Sequence, residues 1–244
     1  MKQIAYLAAT CSILLFSCKK ESKPESTTQN ARVIYQLTTT ERTSSLAVNP
    51  VKITPGTFSR NLQASSITWM SGIASISEIR FKASTRSEDD DDFEFEYSSP
   101  VARTIDLFSV LPTIGLIAVP PADYKKIEFR LKFEPVADQP AFKLTGSFTN
   151  DAGLVIPIVI SIDQPFEVKF KLKTPEKINA NIDYAALNEL ALGLLMNGIS
   201  APALRNAVLD NDGRLFISAN KNGALFKTVW NNFKVMLKVK MKKK

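Results

Sequence analysis

The chain has 244 residues, with 31 lysines and arginines against 24 acids, two cysteines and no histidine. Without histidine there is no Ser-His-Asp or Cys-His catalysis and no zinc site built on imidazole. The formal charge of +7 vanishes once residues 1–17 and the six lysines of the last eleven residues are set aside, so the basicity belongs to the C-terminus and is not the spread footprint of a nucleic-acid surface.

At the N-terminus, Met1, Lys2 and Gln3 make a short positive stretch, and residues 4–16 form an apolar run too short to cross a bilayer as a helix. Leu15-Phe16-Ser17-Cys18 follows, then Lys19, Lys20, Glu21 and Ser22. This segment resembles the signal and lipobox of bacterial lipoproteins. The resemblance implies that residues 1–17 are a signal peptide and that Cys18 is the lipid attachment site, carrying palmitate-type chains. Each buried methylene contributes about 0.8 kcal/mol, so two or three chains hold a protein on a membrane without a transmembrane helix. Cys11 lies in the stretch that would be removed, which leaves no disulfide. Residues 18–30 are polar and read as a flexible tether. Residues 31–244 read as one domain.

Residues 32–37 are a candidate strand, and residues 38–66 are rich in Ser, Thr and Pro. From Ile67 onward the period is two. Ile79-Arg80-Phe81-Lys82 alternates, as do Phe93, Phe95 and Tyr97 with Glu94 and Glu96. Ile127, Phe129, Leu131 and Phe133 alternate with charges; so do Phe166, Val168, Phe170 and Leu172; and Phe142, Leu144, Gly146 and Phe148 keep the same spacing. Strands with one charged face are wet on one side and buried on the other, as antiparallel sheets are. Residues 154–162 are apolar at both parities and predict a strand covered on both faces, with Pro157 marking an edge or a bulge. Turns fall at residues 120–123, 135–140 and 150–153.

After Asp183 the pattern changes. Leu187, Leu190, Ala191, Leu194 and Leu195 follow helical spacing, with Asn197-Gly198 as a stop. Ser200 is placed to cap a short second helix containing Leu204, Ala207 and Val208. Residues 214–218 read as a strand, Leu225, Phe226, Val229 and Trp230 as a helix, and residues 234–240 as a strand again. The expected fold is mainly β: an antiparallel β-sandwich of transthyretin or immunoglobulin type, with a small α-helical insertion at about residues 183–232.

Candidate sites are few. Asp89, Asp90, Asp91 and Asp92, next to Glu88, offer oxygen ligands for calcium, but the run lacks the glycine of a calcium loop and reads as a solvated hairpin tip. Asp210-Asn211-Asp212-Gly213 opens like an EF-hand, yet Lys221 stands where the twelfth-position glutamate belongs, so a tight turn is expected. The C-terminal lysines suit either acidic headgroups or a protected edge strand. Trp69, Tyr97 and Tyr124 are candidates for a sugar-stacking platform, although aromatics on alternating strands are usually core. Catalysis by carboxylates or a Ser-Lys pair is open to the composition, but no acid–base constellation is recognisable, and the chain reads as a non-enzyme without a cofactor.

Residues 67–72 (Ile-Thr-Trp-Met-Ser-Gly) lead into Ile79-Arg80-Phe81-Lys82-Ala83; Ile105-Asp106-Leu107-Phe108 and Val119-Pro120-Pro121-Ala122-Asp123-Tyr124 follow. This order, over about residues 67–240, resembles uncharacterised lipoproteins of Gram-negative bacteria with a β-sandwich mature domain. The Pro-x-x-x-Tyr lead at Pro120 and Tyr124 is similar to that of transthyretin-like and pilin-like sandwiches. The resemblance carries no site residues. The anchor, the tether, the wet-faced strands and the absence of catalytic His and Cys lead to the expectation of a protein lipid-anchored to the outer membrane, facing the periplasm or the surface, that binds or scaffolds an envelope component without catalysis. The alternative expectation is a glycan-binding lipoprotein of a nutrient-capture system. Partners are the membrane, through the lipid, and an envelope protein or a glycan; nucleic acid is not among them.

Overall fold

The computed structural model describes residues 30–46, 65–86, 95–172 and 174–244. The expected signal segment, Cys18, residues 18–29 of the tether and Asp89, Asp90, Asp91 and Asp92 lie outside the described residues. In chain order the elements are β1 (Ala31–Thr40), β2 (Thr43–Ser45), β3 (Ser66–Ser84), β4 (Phe95–Asp106), β5 (Thr113–Val119), β6 (Ala122–Tyr124) and β7 (Lys126–Phe133). Then come β8 (Phe142–Thr149), β9 (Val155–Ile162), β10 (Phe166–Lys171), β11 (Glu176–Ile178), β12 (Asp183–Ala191) and a single 3-10 turn, Leu192–Leu194. The chain finishes with α1 (Ala201–Arg205), β13 (Leu215–Ile217), α2 (Gly223–Phe233) and β14 (Leu237–Lys243). The fold is mainly β, as the alternating runs predict, with its helices near the C-terminus.

One sheet has the order β14-β12-β1-β5. Along β1, Val33, Tyr35 and Leu37 are fully buried on the inward face, while Arg32 points outward to a two-pronged ion pair with Asp183. The segment expected to start a helix is instead β12, which pairs parallel with β1 and antiparallel with β14. Its two faces explain the misreading. Its inward face carries buried Tyr184, Ala186, Asn188 and Leu190, and its outward face carries Ala185, Leu187 and Ala191 beside the half-exposed Asp183 and Glu189, so apolar residues fall at both parities. A run without alternation is also compatible with helical spacing. Only Leu192–Leu194 turns, so the helical part begins at about residue 200 and not at 183.

A second, larger sheet is built on the 19-residue β3, and β6 pairs with β11 in a small third one. Over Ile79 to Ala83, β3 lies between β4 and β7; at Ile73 and Ala74 it lies between β4 and β8; over Ser66 to Thr68 it lies between β2 and β8. Hence β7 and β8 follow one another along one edge of β3, and β4 and β2 along the other. β10 extends the sheet beyond β7, and β9 extends it beyond β8. Register shifts in β3 at Trp69/Ser71 and Ile76/Glu78 are bulges, and bulges bend a strand. The sheet therefore has two halves with different partners.

The half made of β10, β7, β3 and β4 packs face to face with the first sheet. Tyr35 meets Phe129 edge-on at 5.5 Å, Phe129 meets Phe81 at 5.5 Å, and Gly115 leaves room for Ile79, whose Cδ1 would stand 2.7 Å from an added Cβ. Helix α2 packs where the two halves meet: its Phe233 lies 4.8 Å from Phe142 on β8 and 5.2 Å from Phe166 at the start of β10. Ser200 caps α1 as expected, accepting from the Ala203 amide at 3.4 Å. The sandwich adds two parallel pairs, β1 with β12 and β9 with β13, to an otherwise antiparallel set. β13 covers β9 only over Ile158, Val159 and Ile160, so Pro157 stands where β9 is still an edge, which its missing N–H requires.

Candidate functional site

The two sheets end side by side. β10 is the last strand of one and β14 the last strand of the other, and the outer edge of each pairs with no other described strand. Strand alternation then fixes what faces what. On β10, Val168 and Phe170 are buried while Lys169 and Lys171 are exposed; on β14, Leu237, Val239 and Met241 are half-buried while Lys238, Lys240 and Lys242 are exposed. Between the edges runs a groove of about 560 Å³, which Thr174 and Glu176 also line. Its floor is apolar, made of inward side chains from both sheets, and both rims carry lysines.

Most of the rim charge is partly matched. Lys169 lies 3.6 Å from Glu167, Lys171 3.9 Å from Glu128, and Lys240 3.0 Å from Glu189. Glu128 itself is buried; its carboxylate accepts from Arg130, and it stands directly opposite Lys82 on β3 and Lys171 on β10. Lys238 makes no ion pair among the described residues. The groove therefore offers an apolar trough with one uncommitted ammonium and several shared ones, a surface that suits a ligand with an acidic end and an apolar body.

A second hollow, of about 420 Å³, sits on the outer face of β3 where Ile73 is flanked by Asp106 and Lys143 on neighbouring strands. Its polar groups are largely used within the fold. Asp106 accepts from the Phe108 amide at 2.8 Å, and the Ser71 and Thr145 hydroxyls bond to each other.

The residues singled out in the sequence are scattered. Cys18 and the run Asp89, Asp90, Asp91 and Asp92 are not among the described residues. Asp210-Asn211-Asp212-Gly213 is a tight turn with Gly213 at φ 72°. The Asp210 carboxylate accepts from the amides of Asp212 (3.0 Å) and Arg214 (2.8 Å) and from the Arg214 guanidinium (2.8 Å). Desolvation pushes its pKa up, but those donors outweigh it and hold the group below the ordinary carboxylate value. With Arg214 and Lys221 lining the same hollow, the loop has its cations built in. No three His, Cys, Asp or Glu side chains converge as a metal group among the described residues.

The aromatic platform does not form. Trp69 is 1% exposed, with its indole N–H on Ser44 at 3.3 Å, and Tyr124 is 4% exposed, with its hydroxyl on the Pro120 carbonyl. Only Tyr97 reaches solvent, at 37% exposure. The lysine-rich end is the edge strand β14. The sequence showed its lysines and the alternation of β10 separately; the groove between them is missed because it joins segments some 70 residues apart. No helix among the described residues is long and apolar enough to cross a membrane. Compared with known proteins, the chain matches no family model, and no curated protein or solved structure matches it.

Proposed function

We propose that this chain is a lipid-anchored cell-envelope protein, held at the outer membrane through Cys18, that serves without catalysis as a binding or structural module for another envelope component. The observation that carries the reading is the lysine-rimmed groove between β10 and β14, a concave surface framed by two strand edges that pair with no other strand among the described residues. The lipobox-like Leu15-Phe16-Ser17-Cys18 and the polar residues after it supply the tether. The glycan-binding alternative has lost its aromatics, since Trp69 and Tyr124 are core residues.

Two measurements test the reading. Metabolic labelling with a fatty-acid analogue is expected to mark the wild-type protein and to leave Cys18→Ser unmarked and released from the membrane. A photoreactive residue at Thr174, which lines the groove, is expected to cross-link an envelope component in intact cells. A wild-type protein that stays unlabelled, a Cys18→Ser variant that stays equally membrane-bound and an empty cross-link would together end the proposal.

A further inference from the structure

We infer that the groove between β10 and β14 takes up a single anionic amphiphile: an apolar chain lying along Phe170, Leu172, Val239 and Met241, with an acidic headgroup held at the rim by Lys238. This names the chemistry of the envelope component above and rests on that reading. Three observations carry it. The floor draws apolar side chains from both sheets; Phe170 is already buried, whereas Leu172 and the β14 residues Leu237, Val239 and Met241 are only half-covered, so a chain laid in the trough removes apolar surface from water chiefly along β14. Its volume of about 560 Å³ falls within the roughly 300–1,000 Å³ of small-ligand pockets. Lysines stand on both rims, and Lys238 has no carboxylate partner among the described residues, so a negative group completes an ion pair the fold leaves open.

The same features argue against other occupants. A second copy of β14 would set Lys238, Lys240 and Lys242 against like charges, which penalises pairing of this edge with itself. An acidic strand added to β14 would point every other side chain away from the trough and use one wall only, whereas β10 stands along the other side of the groove.

The test uses the full chain carrying Cys18→Ser, so that uptake does not depend on the anchor. The probe is a pyrene-labelled palmitic acid, with the matching alcohol as control. Saturable one-to-one binding of the acid is expected, with the alcohol and the Lys169→Glu/Lys238→Glu double variant each weaker by about tenfold, the range of one charge-assisted contact. Lys169→Gln/Lys238→Gln, which only neutralises the rim, is expected to fall between; it decides the matter if the charge-reversed chain does not fold by far-UV circular dichroism.

Equal binding of acid and alcohol, unmoved by either double variant, would overturn the inference. So would binding to phosphatidylglycerol vesicles with none of the monomeric acid, because the lysines would then be a membrane-surface patch. A protein cross-linked at Thr174 with no uptake of the acid would remove the amphiphile and leave the binding-module reading standing.

Discussion

The Tyr35 hydroxyl of β1 donates to the Arg80 carbonyl of β3 at 2.8 Å, across the interface between the two sheets. Tyr35 is fully buried, and burial pushes its hydroxyl well above the ordinary tyrosine pKa, so it remains a donor at any pH the protein meets. Its ring also packs edge-on against Phe129.

Tyr35→Phe keeps that ring contact and deletes only the hydroxyl. The expected loss is about 1–2 kcal/mol, the cost of one buried hydrogen bond whose acceptor stays behind. Urea unfolding with an unchanged slope checks it; a loss under a few tenths would mean that water or another donor reaches the Arg80 carbonyl.

Gly146 faces the bulge in β3. An added Cβ would overlap the Thr68 carbonyl oxygen and stand 3.1 Å from the Trp69 ring. The obstacle is backbone on one side and a buried indole on the other, so neither yields cheaply. Gly146→Ala is expected to destabilise by about 2–3 kcal/mol. Gly115→Ala meets only the tip of the Ile79 side chain and is expected to cost less than half as much in the same urea experiment.

Asn188 is fully buried on β12 between the sheets. Its amide donates to the Gln36 carbonyl at 2.9 Å and the Ala186 carbonyl at 3.2 Å, and its own oxygen has no hydrogen-bond partner among the described residues. Asn188→Asp would set a carboxylate against two carbonyls. At neutral pH it is expected to cost about 3 kcal/mol or more, with partial recovery in acid as the carboxyl protonates. Asn188→Leu carries no charge and is expected to lie at least about 1.5 kcal/mol above the aspartate variant in stability.

Asp183 is held below its ordinary value chiefly by the hydrogen bonds from Arg32; desolvation opposes them, and the charges of Arg32 and Lys244 add smaller lowering contributions. A carboxylate whose folded pKa is depressed adds stability that is complete above the unfolded value, here 3.8, and fades as pH falls through the lower folded one. The difference between wild type and Asp183→Asn should therefore be constant at neutral pH and shrink below about pH 4. The pair is exposed, so added salt should narrow the difference as well. A gap that widens in acid would show that another group governs that end of β1.

Much of the strand content was legible because one-sided burial writes itself locally. Phe129, Leu131 and Phe133 alternate with charges, and Phe166, Val168 and Phe170 do the same, since each strand keeps one wet face. The short C-terminal elements were legible for a related reason: Ser200 is a capping residue, and Leu225, Phe226, Val229 and Trp230 keep helical spacing, with Phe226 and Val229 buried in α2. β12 was not legible, because Ala185, Leu187 and Ala191 on its outward face blur the apolar–polar alternation, and Leu187, Leu190, Ala191, Leu194 and Leu195 then fall at helical spacing. The aromatics misled for a similar reason. Nothing next to Trp69 says that Ser44 waits for its indole N–H, or that Leu192 receives the Ser44 hydroxyl at 2.9 Å.

By itself the sequence determined a mainly β domain, a basic C-terminal strand and the absence of imidazole chemistry, all of which depend on composition or on neighbours two residues apart. Only the tertiary structure decided that β1 lies beside β12, some 150 residues away, and that β10 and β14 end together around an open trough. Pairing between distant strands depends on which edges remain free once every other strand has found its neighbour, and that is a property of the whole fold and not of any segment in it.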